Sequence, residues 1–305
     1  MKRDPLILIA GPTAVGKTSS SIALAKEIGG EIISSDSMQV YRGMDIGSAK
    51  VRPEEMSGVP HHLIDVLDPK EPFDVVRFQA MAKEAIESIR GRLHVPVMVG
   101  GTGFYLQAVL YDVDFTETAS DPEYRESLYK LAEEEGPGAL YEMLLSVDPK
   151  SAGRIPENNV KRVARALEYY RLSGERISDH NDRERAKESP YDYQLYVLTM
   201  DRKKLYERID KRVDVMMEEG LLEEVKHLKE AGCTAGMTSM QGLGYKQLLR
   251  YLDGFSTLPE AVEEIKKETR HFAKRQITWF KREPDAVWVD VEKEDLIDVY
   301  RARNQ

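Results

Sequence analysis

The chain has 305 residues, 41% of them hydrophobic and 32% charged, and a formal net charge of -9. That is enough apolar content for a buried core and lacks the wholly basic surface of a dedicated nucleic-acid binder, although an acidic protein can carry basic patches. A single cysteine, Cys233, excludes an intramolecular disulfide and a cysteine-rich zinc site and agrees with a reducing compartment, and no stretch approaches the roughly 18 apolar residues of a membrane span.

The start "MKRDPLILIA" places an apolar run after two basic residues, but Pro5 and a glycine loop interrupt it too early for a secretory signal, so a cytoplasmic location is expected. "LILIA" reads as a strand. Directly after it comes "GPTAVGKT", residues 11–18, with the spacing G-x-x-x-x-G-K-[ST]. In such a loop the glycines let backbone N–H groups turn inward, so that the segment Gly11, Pro12, Thr13, Ala14, Val15 and Gly16 wraps the phosphate, Lys17 meets phosphate charge, and Thr18 offers a hydroxyl to Mg²⁺. The helix "SSSIALAKEIGG" follows and stops at Gly29 and Gly30, so its N-terminus faces the bound phosphate. The spacing says phosphate and leaves its carrier open, with a nucleoside-triphosphate enzyme as the default.

"EIISS" reads as the next strand and leads into "DSMQVY". Asp36 there has three readings: a water-mediated Mg²⁺ ligand, a general base, or a cap of the next turn. Its neighbours Ser34, Ser35, Ser37 and Gln39 offer hydrogen bonds suited to a base or ribose. "HLIDVL" and "VPVMVGG" read as further strands, the second ending in "GGTGFY" with Thr102 at its centre. Thr102 is either a hydroxyl donor to a leaving-group oxygen or part of an ordinary strand-to-helix turn.

Between Phe115 and Tyr193 the alternation stops. Three helical segments, "PEYRESLYKLAEEEG", "GALYEMLLSVD" and "NNVKRVARALEYYRLSG", mark a helical insertion. After the strand "LYVLTM", the stretch "DRKKLYERIDKRVDVMMEEGLLEEVKHLKEAG" has Asp201 as N-cap and Gly232 as stop. It carries Arg208 and Arg212 at i,i+4, a pair that either extends toward a diphosphate or belongs to a solvated face beside Glu207. A long helix "TLPEAVEEIKKETRHFAKRQITWFKRE" and a strand "AVWVDV" close the chain.

The expected fold is α/β: a parallel sheet of the P-loop NTPase type with helices on both faces, plus an all-helical insertion. Its divisions are 1–115 for the first part of the core, 116–192 for the insertion and 193–305 for the second part. In such sheets ligands gather at the carboxyl ends of the strands, which brings the three loops into one crevice. Two basic stretches stand out, "VKRVARALEYYRLSGER" and "KKETRHFAKRQITWFKR". Both interleave cations with aromatics, as an RNA surface does, and both would also serve as solvent coats.

Taken together, "GPTAVGKT", "SSDSMQVYRGMDIGSAK", "PHHLIDVLDP", "VGGTGFYL", "NNVKRVARALE", "RVDVMMEEGLLEEV", "MQGLGYKQ" and "TRHFAKRQITWFKR" resemble the bacterial tRNA dimethylallyltransferases across nearly the whole chain. The resemblance implies transfer of a dimethylallyl group from dimethylallyl diphosphate to N6 of the adenosine on the 3′ side of the anticodon, with Mg²⁺ near Thr18. It implies Asp36 as the general base, Thr102 near the bridging oxygen of the donor, and Lys17 and Arg212 on the diphosphate. Ser37, Met38 and Gln39 would border the target base with Asp36. Contacts to tRNA would come from Val160, Lys161, Arg162, Val163, Ala164 and Arg165, and from Arg275 and Gln276. A monomer without membrane association, in the compact bacterial form, is expected. The alternatives are an adenylate isopentenyltransferase acting on free AMP, ADP or ATP, and an RNA-binding P-loop protein that uses nucleotide as a switch.

Overall fold

The computed structural model describes residues 4–115 and 121–305. The chain forms two compact units, one of residues up to Leu110 together with Pro190–Gln305, the other Tyr111–Ser189. The sequence places these joints at 116 and 192, and residue 116 lies outside the described residues.

The first unit is built on six strands: β1 (Asp4–Ala10), β2 (Gly30–Ser34), β3 (His61–His62), β4 (Val95–Gly100), β5 (Tyr191–Thr199) and β6 (Val287–Asp290). They pair in the order β3-β2-β4-β1-β5-β6, every pair parallel. Ala10 lies opposite Gly100, and Ser34 opposite Val99. β2, β4 and β1 therefore end side by side, and the three loops singled out in the sequence leave adjacent strand ends. Ile7 and Ile9 pack into one face with Ile22, Leu24, Ile32 and Val97, while Leu6 and Leu8 alternate to the other face and are equally buried.

"HLIDVL" does not form the expected strand. Only His61–His62 joins the sheet, because Leu63 and Asp65 take φ of 61° and 56°, a left-handed backbone that no extended run can contain. Leu63 and Leu67 are buried nonetheless, so their apolar spacing reflects core packing in a looped segment.

α1 (Lys17–Ile28), α2 (Val75–Gly91) and α3 (Gly103–Leu110) complete the first half of this unit. In the second unit α4 (Pro122–Glu135), α5 (Pro137–Val147), α6 (Pro149–Ala152), α7 (Val160–Ser173) and α8 (Ile177–Arg185) form a core of their own around Leu128, Leu140, Leu144, Val163 and Leu167. Asp121, Asp148 and Asn159 cap α4, α6 and α7, and proline opens α4, α5 and α6. α8 was not legible because it buries Ser178, His180 and Glu184 and has no apolar stripe.

The chain then returns to the first unit with α9 (Arg202–Glu218), α10 (Leu221–Glu230), α11 (Tyr245–Leu252), α12 (Leu258–Phe280) and α13 (Leu296–Asn304). Asp201 caps α9 as expected, accepting from the N–H groups of Lys203 and Lys204 at 2.9 and 3.1 Å. The helix does not run on to Gly232, however, since Gly220 at φ 101° separates α9 from α10. Thr257 and Glu260 form a reciprocal capping box at the start of α12. Among the described residues no helix is long and apolar enough to cross a membrane.

Candidate phosphate-binding active site

Gly16, at φ 105°, is the N-cap of α1; no side chain caps the first-turn N–H groups, and that turn holds no acidic residue. Unspent donors at the positive end of a helix form a seat for an anion. Gly11 passes so close to β5 that a Cβ there would lie 2.6 Å from the Leu198 carbonyl oxygen. Ala14, at φ 64°, holds a left-handed conformation that costs a non-glycine residue about 1 kcal/mol or more. The loop is thus held in shape at some cost.

Lys17 Nζ donates to the carbonyls of Pro12 at 2.8 Å and Gly11 at 3.1 Å, which uses two of its three N–H groups. Burial lowers its pKa to about 8, the Asp36 carboxylate opposes that shift, and the Arg212 guanidinium adds to it. Three residues from distant parts of the chain therefore share one electrostatic field.

They also share one cavity of about 880 Å³, whose wall includes Thr13, Ala14, Gly16, Lys17, Thr18, Asp36, Gln39 and Arg212. Gly11, Pro12 and Val15, expected on the phosphate, are buried behind the loop and outside this wall. The Thr13 N–H is also committed elsewhere, donating at 2.9 Å to Gln276 Oε1. Gln276 is 6% exposed and its Nε2 donates at 3.0 Å to the Gly101 carbonyl. The expectation of a tRNA contact at Gln276 is corrected here: both ends of its amide clamp the phosphate loop to the turn after β4.

Asp36 Oδ1 accepts from the N–H groups of Met38 at 2.8 Å and Gln39 at 3.4 Å, which is the capping role. Among the described residues nothing hydrogen-bonds Oδ2, so the same contacts that orient the carboxylate leave one oxygen able to accept a proton. Gln39 is held on all sides: Oε1 accepts from Ser34 Oγ at 3.2 Å, and Nε2 donates to the Ser48 and Ala49 carbonyls, both at 3.3 Å. Ser37 and Met38 are partly exposed and lie outside the cavity wall.

Arg212, on α9, is partly buried, and burial pulls its pKa below the ordinary guanidinium value against the field of Asp36, Glu55 and Glu219. It remains cationic. Arg208 is exposed and outside the wall, so the structure separates the i,i+4 pair. Thr102 is outside the wall as well, two residues beyond Gly100, which lines it. The Thr102 carbonyl opens α3 by accepting from the N–H of Tyr105 at 2.9 Å.

The tyrosines that end "DSMQVY" and "GGTGFY" meet in one aromatic cluster. Tyr41 and Tyr105 both pack edge-on against Phe73, with centroids 6.3 and 5.8 Å away, and Tyr105 stacks on Phe78 at 4.4 Å. Two loops of the site thus share an anchor. Lys50, missed in the sequence, lines the cavity with its side chain 5% exposed and binds the Tyr41 carbonyl, Asp45 and Asp65. Nothing in the spacing of "GSAK" marks it.

In the second unit Lys161 and Arg162 are exposed on α7, and Val160 is partly buried. Val163 and Ala164, expected at the RNA face, are 0% exposed and belong to the core. Arg165 is paired with Glu168 at 2.8 Å, which also holds Arg125 at 2.8 Å. Burial pushes Glu168 up, but these two guanidiniums and the Asp121 N–H outweigh it and leave the carboxyl below its usual range. Arg275, on α12, is exposed with its guanidinium 5.8 Å from the Phe272 ring centroid. Among the described residues no three histidine, cysteine or acidic side chains group as a metal centre.

Residues 39–283 match the family model described as IPP transferase, and residues 5–66 match one described as isopentenyl transferase. The chain is 56% identical over 286 residues to a tRNA dimethylallyltransferase of Lachnoclostridium phytofermentans, covering 94% of this chain and 91% of that protein. Among solved structures, the full-length tRNA isopentenylpyrophosphate transferase of Bacillus halodurans aligns with a TM-score of 0.74 at 44% identity, over 99% of this chain and 95% of the other. A eukaryotic dimethylallyltransferase acting on tRNA aligns with a TM-score of 0.81 at 32% identity, over 98% of this chain and 77% of that one.

Proposed function

Because this chain belongs to the IPP transferase family, we propose that it transfers a dimethylallyl group from dimethylallyl diphosphate to N6 of the adenosine on the 3′ side of the anticodon in tRNA, releasing diphosphate. The observation that carries this reading is the meeting of an anion seat, two cations and a half-satisfied carboxylate on one cavity.

Leaving of diphosphate from an allylic carbon builds negative charge on its oxygens. The first-turn N–H groups of α1, the Lys17 ammonium and the Arg212 guanidinium stabilise that charge where it develops. The family resemblance assigns the hydroxyl to the bridging oxygen to Thr102, which stands two residues beyond the cavity-lining Gly100. The N6 amine of adenine is a weak nucleophile because its lone pair is delocalised into the ring. As the bond from N6 to the allylic carbon forms and the carbon–oxygen bond breaks, the N6 proton passes to the free Oδ2 of Asp36. Charge and atoms balance: prenylated adenosine, diphosphate and a protonated carboxyl, which returns its proton to water.

Thr18, exposed in the cavity wall, fits a Mg²⁺ site in which the donor's phosphates supply most of the ligands. Bound there, the ion would neutralise leaving-group charge. The target base must leave the anticodon-loop stack to reach the cavity. Lys161, Arg162 and Arg275, exposed and without ion-pair partners among the described residues, bind tRNA phosphates. The reaction belongs to the cytoplasm, where tRNA is modified.

Donor and nucleotide make opposite demands on this loop. Dimethylallyl diphosphate with Mg²⁺ should raise the melting temperature at micromolar concentrations, and ATP should not be hydrolysed when tRNA is added. ATP turnover stimulated by RNA, without donor-induced protection, would restore the nucleotide-switch reading.

A further inference from the structure

The end of "RVDVMMEEGLLEEV", in α10, and "MQGLGYKQ", which leads into α11, each carry a residue with no part in the chemistry above, Glu224 and Tyr245. From the hydrogen bonds they make, we infer that Glu224, completed by Tyr245, is a positioning residue that holds the loop carrying Asp36 and Gln39 in its reactive shape.

Glu224 reaches from α10 to the segment after "DSMQVY". Its Oε2 accepts from the N–H groups of Asp45 and Ile46, each at 2.8 Å, and its Oε1 from the Gly47 N–H at 3.1 Å. The fourth bond comes from the Tyr245 hydroxyl, 2.6 Å from Oε1. A carboxylate has about four acceptor positions, so this one is filled. Three successive backbone N–H groups converging on one point form an anion nest, and here the anion is the protein's own side chain.

Tyr245 is 0% exposed, and a Cβ on Gly47 would lie 2.6 Å from its ring, so the phenol leaves room there for nothing but bare backbone. The same motif touches the catalytic loop directly: a Cβ on Gly242 would lie 2.8 Å from Met38 Sδ.

From the nest the connection runs on through neighbouring bonds. The Ser48 and Ala49 carbonyls, next in the chain, receive the Gln39 amide, and Gln39 Oε1 accepts from Ser34 Oγ. The Gln39 N–H in turn donates to Asp36 Oδ1. Asp45, Ile46, Ser48 and Ala49 line the cavity while Glu224 and Tyr245 do not. Their effect on the reaction must therefore pass through the loop. A displacement on the order of 1 Å at such a distance can cost about 10²-fold in rate, which makes the nest a part of catalysis without contact to substrate.

The inference rests on the prenyl-transfer reading, so the test pairs kinetics with a readout that needs no substrate. In the full chain, Glu224→Ala should speed amide hydrogen exchange in residues 38–48 and leave residues 11–18 unchanged. Single-turnover transfer from bound donor should fall about tenfold or more and KM for tRNA should rise, with donor Kd held within about twofold. Glu224→Gln, which keeps a carbonyl oxygen on the nest, should recover part of the rate. Tyr245→Phe keeps the ring against Gly47 and should show the same pattern at smaller amplitude, which decides the matter if Glu224→Ala does not fold. Unchanged exchange in 38–48, or donor affinity lost in proportion to turnover, overturns the inference. Absence of prenyl transfer in the wild-type chain would sink the functional reading, and the exchange result would still decide whether Glu224 holds the loop.

Discussion

β2 and the turn that follows it carry two carboxylates whose surroundings differ completely. Glu31, near the entry of the strand, is 2% exposed and takes four bonds: Arg92 Nε at 3.0 Å and its terminal nitrogen at 2.7 Å, His62 Nε2 at 2.6 Å and His94 Nδ1 at 2.6 Å. The Arg92 bonds, opposed by burial and aided by both histidines, hold its pKa down to about 2. Asp36, just past the strand's exit, takes two backbone N–H groups on one oxygen and faces Lys17 and Arg212 across a cavity. A carboxylate whose lone pairs are all engaged can only hold structure. One with an oxygen to spare can accept a proton.

Exchanging each for its amide should therefore separate stability from turnover. Asp36→Asn should lower prenyl transfer by roughly 10²-fold or more and leave the melting temperature near wild type, since the amide oxygen still caps Met38 and Gln39. Glu31→Gln should do the reverse, costing about 2 kcal/mol of stability with turnover little changed. Because Glu31 is depressed in the folded state, its contribution is complete above its ordinary pKa and is lost as pH falls toward about 2. Acid titration of the Glu31→Gln chain should lack that segment of the wild-type curve. Equal loss of activity from both variants would erase the distinction.

A smaller effect belongs to Lys17. Its pKa of about 8 means that the free enzyme loses this charge as pH rises through that value, so donor affinity should weaken above pH 8 by up to about tenfold per pH unit. Calorimetric binding of dimethylallyl diphosphate from pH 7 to 9.5 measures it, and Lys17→Ala should flatten the profile. A wild-type profile that stays flat would show that the ammonium does not bear on the diphosphate.

The smallest expected effects lie in the insertion, where the same contrast recurs among cations. Lys161 and Arg162 are exposed, whereas Arg165 is tied to the buried Glu168. Reversing the first two should weaken tRNA binding a few fold and reduce its salt slope by about one per contact. Arg165→Ala should act mainly on the melting of the insertion. If all three substitutions change binding alike, the paired and unpaired cations do not differ in role.

How much of this was legible follows from where the partners lie. The order of strand, glycine loop and helix at residues 4–28, Asp201 as a cap and the succession of parallel strands are written in local spacing, and the structure has them. "HLIDVL" misled because burial without extension leaves the same apolar pattern as a strand. The stretch from Asp201 to Gly232 is two helices because Gly220, at φ 101°, caps the start of α10. Gln276 and Glu224 were out of reach for another reason. Gln276 bonds to Thr13 and Gly101, and Glu224 to Asp45, Ile46 and Gly47, at separations no periodicity can encode. The motifs containing them stood out, but their bonding partners are visible only in the fold.

In the proposed reaction the loop at residues 11–18 holds the diphosphate leaving group of a prenyl donor. The most direct test is to incubate the chain with dimethylallyl diphosphate, Mg²⁺ and unmodified tRNA, digest the tRNA, and analyse its nucleosides by mass spectrometry. N6-dimethylallyladenosine from the position 3′ to the anticodon, formed with one diphosphate per nucleoside and without ATP, is the predicted result. Unmodified adenosine at that position, from a chain that binds tRNA and stays folded, would contradict it.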